Sequence, residues 1–295
     1  MKTRILRPLV LATLGFGFVA GLSAQTAATP PAAPKLEFPA ASPNASFKQR
    51  VGVTDIELNY ARPGAKGRTV FGGLVPYGEV WRTGANSAPK IKFSTAVNLG
   101  GVDIPAGNYE LFTIPGEKEW TVIIHKDSSQ WGAYAYKQEN DVARVQATPV
   151  ALAAPVETFT IEFNDLRDTS ATLNFVWANT RVPVKLTVDL KSLVPQIEAV
   201  MASDAAKKPY SAAAMFYLDH KVDLKKAAEW MDAAIAAQPK GFFLVYRKAL
   251  IQSAAGDKAG ALVTAQASLA AAKQAGGAIG AEYTKLNENL IASLK

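Results

Sequence analysis

Hydrophobic and polar residues alternate along much of the chain between residues 46 and 190. Ile56, Leu58 and Tyr60 are spaced two apart, and the same spacing recurs from Trp120 to Ile124. A period of two is typical of β-strands that bury one face. Some eight such strands occur without a helical pattern between them, and runs of this kind favour a sandwich over an alternating α/β sheet. We therefore predict an antiparallel, jelly-roll-like β-sandwich domain over residues 46–190.

The last two strands of this domain are expected to form a hairpin. Apolar residues alternate at 173, 175 and 177 and again at 182, 184, 186 and 188. The polar segment Asn179, Thr180, Arg181 lies between the two runs and is the only candidate for a turn there. The prediction is an antiparallel hairpin centred on residues 179–181.

The period changes from two to 3.6 after Leu190, and the composition becomes rich in alanine. Pro195 suits a first helical turn, and Asp223 and Asp257 suit helix N-caps. The two aspartates are 34 residues apart, which is the period of tetratricopeptide repeats. Residues 191–295 are therefore predicted to be a short α-helical, tetratricopeptide-like domain, so that the whole chain is α+β and multidomain. Whether this tail is purely structural or binds a protein partner stays open.

The N-terminus has the pattern of a secretory signal peptide. Basic residues at 2, 4 and 7 precede an apolar run over residues 9–19, and small residues at 22–24 offer a cleavage site. Residues 25–45 are rich in alanine and proline and are predicted to be an extended linker. The chain has no cysteine and hence no lipidation site or disulfide. We expect residues 1–24 to be removed and the protein to reside in the periplasm or outside the cell, with no membrane span after cleavage.

The overall charge argues against nucleic acid as a partner. The chain carries a net charge of +7, and removal of the three basic residues in the signal peptide leaves 29 basic and 25 acidic residues, or +4. Lysine and arginine are spread along the chain and form no concentrated basic stripe. With two histidines and no cysteine, no metal site is expected. No cofactor is predicted.

Residues 60–86 form a long segment punctuated by glycine and proline between two strand patterns. Long irregular segments inside a compact domain are often functional. Its motifs are Tyr-x-Arg-Pro from Tyr60, Gly-Arg-x-x-Phe-Gly from Gly67, and Pro-Tyr-Gly-x-x-Trp-Arg-x-Gly-Ala-Asn from Pro76. The segment resembles the domain-of-unknown-function 2911 family (DUF2911) of secreted bacterial proteins. The resemblance implies no reaction, because none is established for that family.

Two interpretations of this segment stay open. Planar, permanently charged arginines can grip an anion with two hydrogen bonds each. The same arginines can instead stack on aromatic rings or pair with Glu79 to hold the loop. Trp81 is expected to anchor the segment in the core, because neighbouring residues of an extended segment point to opposite sides. The candidate ligand-binding residues are Arg82 and Asn86 first, then Arg68, with Arg62, Glu79 and Trp81 beside them.

Two further residues belong to the candidate set. His125 ends a predicted strand, and we expect a solvated imidazole there, with a role in the site as the alternative. Trp131 lies in a second aromatic loop with Tyr134 and Tyr136. Such aromatics either cap the end of a sandwich, which we expect here, or stack on a sugar ring.

Three functions are compatible with these features. The first is a non-catalytic module that binds a small anionic or sugar-like ligand, and this is the prediction. The second is a hydrolytic enzyme that uses His125 with Glu79 or Asp127 as acid and base, which requires these groups to converge. The third is an envelope scaffold that acts through the helical tail.

Overall fold

The structure, a computed structural model, describes Leu36 and residues 38–126 and 129–295. The predicted signal peptide and most of the predicted linker lie outside the described residues. Contacts divide the chain into Met1–Ala40 and Ala41–Lys295. In the first unit the described residues, Leu36 and 38–40, have no regular secondary structure. All the elements below belong to the second unit.

Ten strands form two antiparallel sheets in the described part of the chain. The larger sheet has the order β1-β2-β3-β6-β7-β8 and the smaller has the order β5-β4-β10-β9. The strands are β1 (Asn44–Val51), β2 (Thr54–Ala61), β3 (Ala85–Phe93), β4 (Val97–Leu99), β5 (Val102–Ile104), β6 (Gly107–Ile114), β7 (Trp120–Lys126), β8 (Asp141–Ala147), β9 (Val150–Arg167) and β10 (Ser170–Thr187).

The two sheets bury one continuous apolar core between them. Alternate residues of β2 and β7 face inward, and Ile56, Leu58, Trp120, Val122 and Ile124 are all almost fully buried, as the period of two predicts. The smaller sheet contributes its own alternate positions, including the aromatic rings of β9 and β10. The predicted antiparallel sandwich is therefore confirmed.

The hairpin predicted at residues 179–181 is wrong. β10 runs without a turn from Ser170 to Thr187 and pairs with β9 along most of its length. The register shifts around Ala178, which has a φ of 49°. The bulge leaves Asn179 exposed, and pairing resumes at Thr180 and Arg181, which are half-buried. The prediction failed because a polar segment between two apolar runs resembles a turn. The segment contains no glycine, the residue that tight hairpin turns most often need.

Six helices follow the smaller sheet: α1 (Leu193–Ala202), α2 (Tyr210–Asp219), α3 (Leu224–Ala237), α4 (Phe242–Ala254), α5 (Lys258–Ala275) and α6 (Gly277–Leu294). Asp223 caps α3 by accepting from the Lys226 N–H at 3.0 Å, and Asp257 caps α5 by accepting from the Gly260 N–H at 2.8 Å. Both predicted N-caps are thus confirmed at the predicted spacing. The sequence pattern did not identify α2. None of the described helices is long and apolar enough to cross a membrane.

The helices build a second buried cluster, separate from the sandwich core. Tyr217, Ala227 and Met231 are completely buried within it. Phe216 packs against both clusters, so that α2 touches the sandwich. The boundary predicted after Leu190 falls between the end of β10 at Thr187 and the start of α1 at Leu193. Independent folding of the two parts stays a prediction.

Candidate functional site

The pairing between β2 and β3 is interrupted near the start of β3. Asn59 pairs with Lys90 and Ala61 pairs with Ala85, so two steps along β2 correspond to five along β3. The three extra residues make β3 leave the sheet, and Asn86 adopts a left-handed φ of 60°. Large bulges of this kind re-aim side chains and are frequent next to functional sites.

A polar groove lies beside this bulge, on the face of the larger sheet that points away from the core. Its main part has a volume of about 340 Å³, and an adjoining part has about 240 Å³. Asn59 and Lys90 line both parts, and we call the two together the outer groove. Among the described residues, Lys90 is the one charged residue that lines the main part, and its Nζ donates to the Ser129 Oγ at 3.0 Å. The main part is lined by Asn44, Asn59, Tyr60, Ala61, Ala85, Asn86, Ser87, Ala88 and Lys90.

The loop that carries Trp131 meets the bulge. Ser87 forms an antiparallel bridge with Trp131, and the Gly132 N–H donates to the Asn86 carbonyl at 3.0 Å. The rings of Trp131 and Tyr134 stack at 5.9 Å and are 66% and 82% exposed. The expectation that these two rings cap the sandwich is therefore wrong. Asn86 and Trp131, two of the predicted site residues, are therefore brought close together through their backbones, and Asn86 lines the outer groove.

His125 is completely buried, so the expected solvated imidazole is also wrong. Its Nδ1 lies 2.7 Å from the Lys126 carbonyl oxygen and its Nε2 lies 3.2 Å from the Lys137 carbonyl oxygen. The ring also packs against Phe112 and Tyr136, each at 5.3 Å. The loop before β8 covers this end of the sheet, and sequence alone gave no sign of that cover. His125 fastens the loop to β7.

Glu110 is a second buried polar residue here, and sequence analysis did not identify it. It lies directly opposite His125 on β7 and Lys90 on β3, which places three ionisable side chains in one row on the same face. Its carboxylate accepts from the Gln130 N–H at 2.9 Å. The sequence does contain one indication of this burial. Glu110 and Phe112 are two residues apart in one strand and therefore share a face, and a large apolar residue such as Phe112 indicates that this face is covered.

Tyr136, Asp141 and Arg144 form a hydrogen-bonded network in the same covered region. The Tyr136 hydroxyl donates to the Asp141 Oδ2 at 2.7 Å, and the Arg144 Nη1 donates to the same oxygen at 2.7 Å. Burial, followed by the neighbouring Asp141 carboxylate, raises the pKa of Tyr136 to about 12. This network fastens the loop to β8.

Two of the predicted arginines hold the loop over residues 62–84. The Arg62 Nε donates to the Phe159 carbonyl at 3.1 Å and its Nη2 donates to the Thr160 Oγ1 at 2.6 Å, which ties the loop to β9. The Arg68 Nε and Nη2 donate to the carbonyls of Ala65 and Gly64. Both guanidinium groups thus contact the protein itself, as in the structural interpretation, although through carbonyl and hydroxyl oxygens and not through Glu79.

Trp81 lies in the core, as expected of an anchor. It stacks on Trp177 at 5.8 Å, and its backbone pairs with Thr113. Arg82, the next residue, is half-buried, and in the described part of the chain its Nε is buried without a hydrogen-bond partner. Ligand binding by Arg82 stays a prediction.

Glu79 and His125 do not converge. The Gly78 N–H donates to the Pro115 carbonyl, whereas His125 lies opposite Glu110. Five residues of extended strand separate these two points, about 17 Å at ~3.4 Å per residue. Asp127, the other proposed partner of His125, lies outside the described residues. Within the described residues, no group of three or more histidine or acidic side chains is placed to hold a metal ion.

Comparison with known proteins bears on the sandwich. No curated protein and no solved structure gives a significant match to the chain. Residues 42–186 match the model of the family described as "Protein of unknown function (DUF2911)". This range begins just before β1 and ends one residue before the end of β10, so it covers the ten strands and stops short of the helices. The sandwich of this chain is therefore a member of the DUF2911 family, followed by a helical region that the family model does not include.

Proposed function

We propose that the sandwich is a binding module for a sugar-like ligand, which occupies the outer groove beside Trp131. The observation that carries this proposal is the arrangement at the bulge of β3. Asn86 and Ser87 line the groove there, and the backbone bridge from Ser87 to Trp131 brings the loop with the exposed aromatic pair next to them. Catalysis is not part of the proposal, because Glu79 lies far from His125 and the buried His125 ring has both nitrogens beside backbone carbonyl oxygens.

The chemistry of the lining suits hydroxyl groups. Asn44, Asn59 and Asn86 each carry two donors and an acceptor, and Ser87 adds a hydroxyl that does both. The hydroxyl groups of a sugar ring both donate and accept hydrogen bonds, so they can pair with these side chains. A site for a purely anionic ligand would instead be expected to gather cationic donors, but Arg62 and Arg68 are engaged with the protein.

The aromatic pair supplies an apolar surface. Trp131 and Tyr134 leave most of their ring area in water, which is unusual for large apolar groups unless a partner covers them. Aromatic rings with a polar edge are common in ligand sites for this reason.

The compartment is part of the proposal as well. The signal-peptide pattern of residues 1–24 assigns the protein to the periplasm or the exterior of a bacterial cell, where oligosaccharides and cell-wall fragments are available. A secretion assay with and without residues 1–24 tests this. The protein should stay in the cytoplasm without them, and export of the shortened chain would contradict the assignment.

The binding proposal is tested by screening neutral and acidic oligosaccharides on an array with the full chain, followed by titration of any hit. Trp131→Ala and Asn59→Ala should each weaken binding, with a loss of about tenfold or more for Trp131→Ala as the aromatic anchor. Asn179→Ala is the matched control, since Asn179 is exposed on the smaller sheet. If no glycan binds, or if the control variant loses as much affinity as Asn59→Ala, the proposal fails.

The anionic alternative has its own test. Arg82→Lys keeps the charge but loses the planar pair of donors, so it should weaken an anion bound there while leaving a sugar in the outer groove unaffected. Thermal shift with carboxylates and sulfates on wild type and Arg82→Lys separates the two ligands. A stabilising anion whose effect is lost in Arg82→Lys would favour the anion site over the sugar site.

A further inference from the structure

A second cavity lies where the helices meet the sandwich, far in sequence from the outer groove. Its volume is about 600 Å³. Residues 188–191, which follow β10, the start of α1 and the end of α2 with the turn after it supply most of its walls. Small-molecule sites have volumes of about 300–1,000 Å³ and often lie at the junction of two structural units. We call it the junction cavity.

The walls of the junction cavity are apolar and fixed in place. Val188, Leu190, Val194 and Phe216 contribute side chains, and Val222 stands at the rim with 39% exposure. The Val188 N–H donates to the Thr169 carbonyl at 2.9 Å and the Val222 N–H donates to the Tyr217 carbonyl at 3.0 Å. The cavity is therefore formed before any ligand arrives, which lowers the entropic cost of binding.

Positive charge surrounds this apolar space. Lys191 and Lys221 line it and are exposed, and in the described part of the chain neither has an ion-pair partner within 4.0 Å. His220 also lines the cavity. The one acidic residue in the lining, Asp189, already accepts from the Lys191 backbone N–H at 2.8 Å. Unpaired cations at the mouth of an apolar cavity are complementary to a ligand with an anionic head and an apolar body.

We infer that the junction cavity is a binding site for an amphipathic organic anion, such as a medium-chain carboxylate. The apolar body lies between the segment after β10 (Val188 and Leu190) and Phe216, and the anionic head lies in water between Lys191 and Lys221. This site is distinct in position and in chemistry from the outer groove, and each is tested without the other.

The test uses the full chain with anilinonaphthalene sulfonate, an amphipathic anion whose fluorescence rises in apolar surroundings. Binding should contain a saturable component that dodecanoate displaces and that dodecanol, with the same apolar body and no charge, displaces several-fold less well. Absence of a saturable component overturns the inference. Equal displacement by dodecanol overturns it too, because the lysines would then have no role.

Two pairs of variants locate the site. Val222→Trp should fill the cavity from its rim and remove the saturable component, whereas Val263→Trp, at an exposed position of α5, should leave it. The double variant Lys191→Gln/Lys221→Gln should weaken dodecanoate roughly three- to tenfold, as expected for two exposed ion pairs. Lys258→Gln/Lys285→Gln removes the same charge elsewhere and should have no effect. Loss of the component in Trp131→Ala, or in either control, would place the probe elsewhere and overturn the inference.

Discussion

The loops over residues 62–84 and 129–140 have the same kind of composition but opposite roles. Each combines aromatic rings with glycine and charged or amide residues. In the first loop Trp81 is 9% exposed and stacks within the core, and Arg62 is bonded to β9. In the second, Trp131 is 66% exposed and stacks only on another exposed ring in the contacts described.

The difference follows from what each loop pairs with. Residue 81 forms a bridge with Thr113 of β6, so its side chain takes the inward direction of a strand position. Residue 131 bridges to Ser87, which lies in the bulge of β3 and outside the regular sheet. In this protein, the loop aromatic residue whose backbone pairs with a regular strand anchors its loop in the core. The one that pairs only with the bulge stays exposed and is a candidate to contact a ligand.

The largest expected effect is that of Trp81→Ala. Removal of a ring that contacts Phe71, Trp120, Phe159 and Trp177 leaves a cavity in the core. The free energy of unfolding should fall by about 3–5 kcal/mol, measured by chemical denaturation. Tyr77→Ala, in the same loop but 41% exposed, should cost much less. Similar losses for the two would mean that burial does not separate anchors from contacts in this loop.

Arg62→Lys should have the next largest effect. An ammonium cannot reproduce both the Nε contact to Phe159 and the Nη2 contact to Thr160, so a partly buried acceptor is left without its donor. We expect a loss of about 1–3 kcal/mol in the free energy of unfolding. Arg68→Lys is the matched change in the same loop, where the contacts are exposed and local, and it should cost less. The reverse order would show that the tie to β9 is unimportant.

These features differ in how far the sequence could predict them. The inward faces of β2 and β7 and the caps at Asp223 and Asp257 follow from local periodicity and local hydrogen bonding, which single segments encode. The burial of Trp81 also followed from alternation. By contrast, the burial of His125 and Glu110 depends on the loop before β8 folding over the sheet, and no local pattern specifies that cover.

The candidate site was predictable only in part. Asn86 and Trp131 were recognised as candidates from their loops, and the structure brings them together. Asn44, Asn59 and Lys90 were not, because their place beside Asn86 depends on the register of three strands and on a bulge in β3. The junction cavity likewise requires the packing of α1 and α2 against residues 188–191, which follow β10.

Tyr136 offers a smaller effect, in the covered part of the second loop. Its pKa is raised from 10.0 to about 12, so the folded protein keeps the phenolic proton after the unfolded chain has lost it. Stability from this group is complete below pH 10 and is lost as the pH rises from about 10 through about 12. Tyr136→Phe should cost about 0.5–1.5 kcal/mol at neutral pH.

The measurement for Tyr136 is the unfolding free energy of wild type minus that of Tyr136→Phe from pH 8 to 12. Other tyrosines, including Tyr60 and Tyr109, also have a raised pKa, so the difference between the two proteins isolates Tyr136. The difference should shrink with rising pH. A difference that stays constant would show that the contact with Asp141 does not favour the protonated phenol.

The smallest expected effect on stability is that of Trp131→Ala. Its ring is largely in water and contacts chiefly Tyr134, which is more exposed still, so truncation should change the free energy of unfolding by less than about 0.5 kcal/mol. Tyr134→Ala should behave in the same way. Trp131→Ala is nevertheless expected to abolish most of the affinity for a sugar. Trp81→Ala should show the reverse order of effects, with a large loss in the free energy of unfolding. A loss of several kcal/mol from Trp131→Ala would instead mean that the ring is structural despite its exposure, and the contrast between the two loops would then not mark a site.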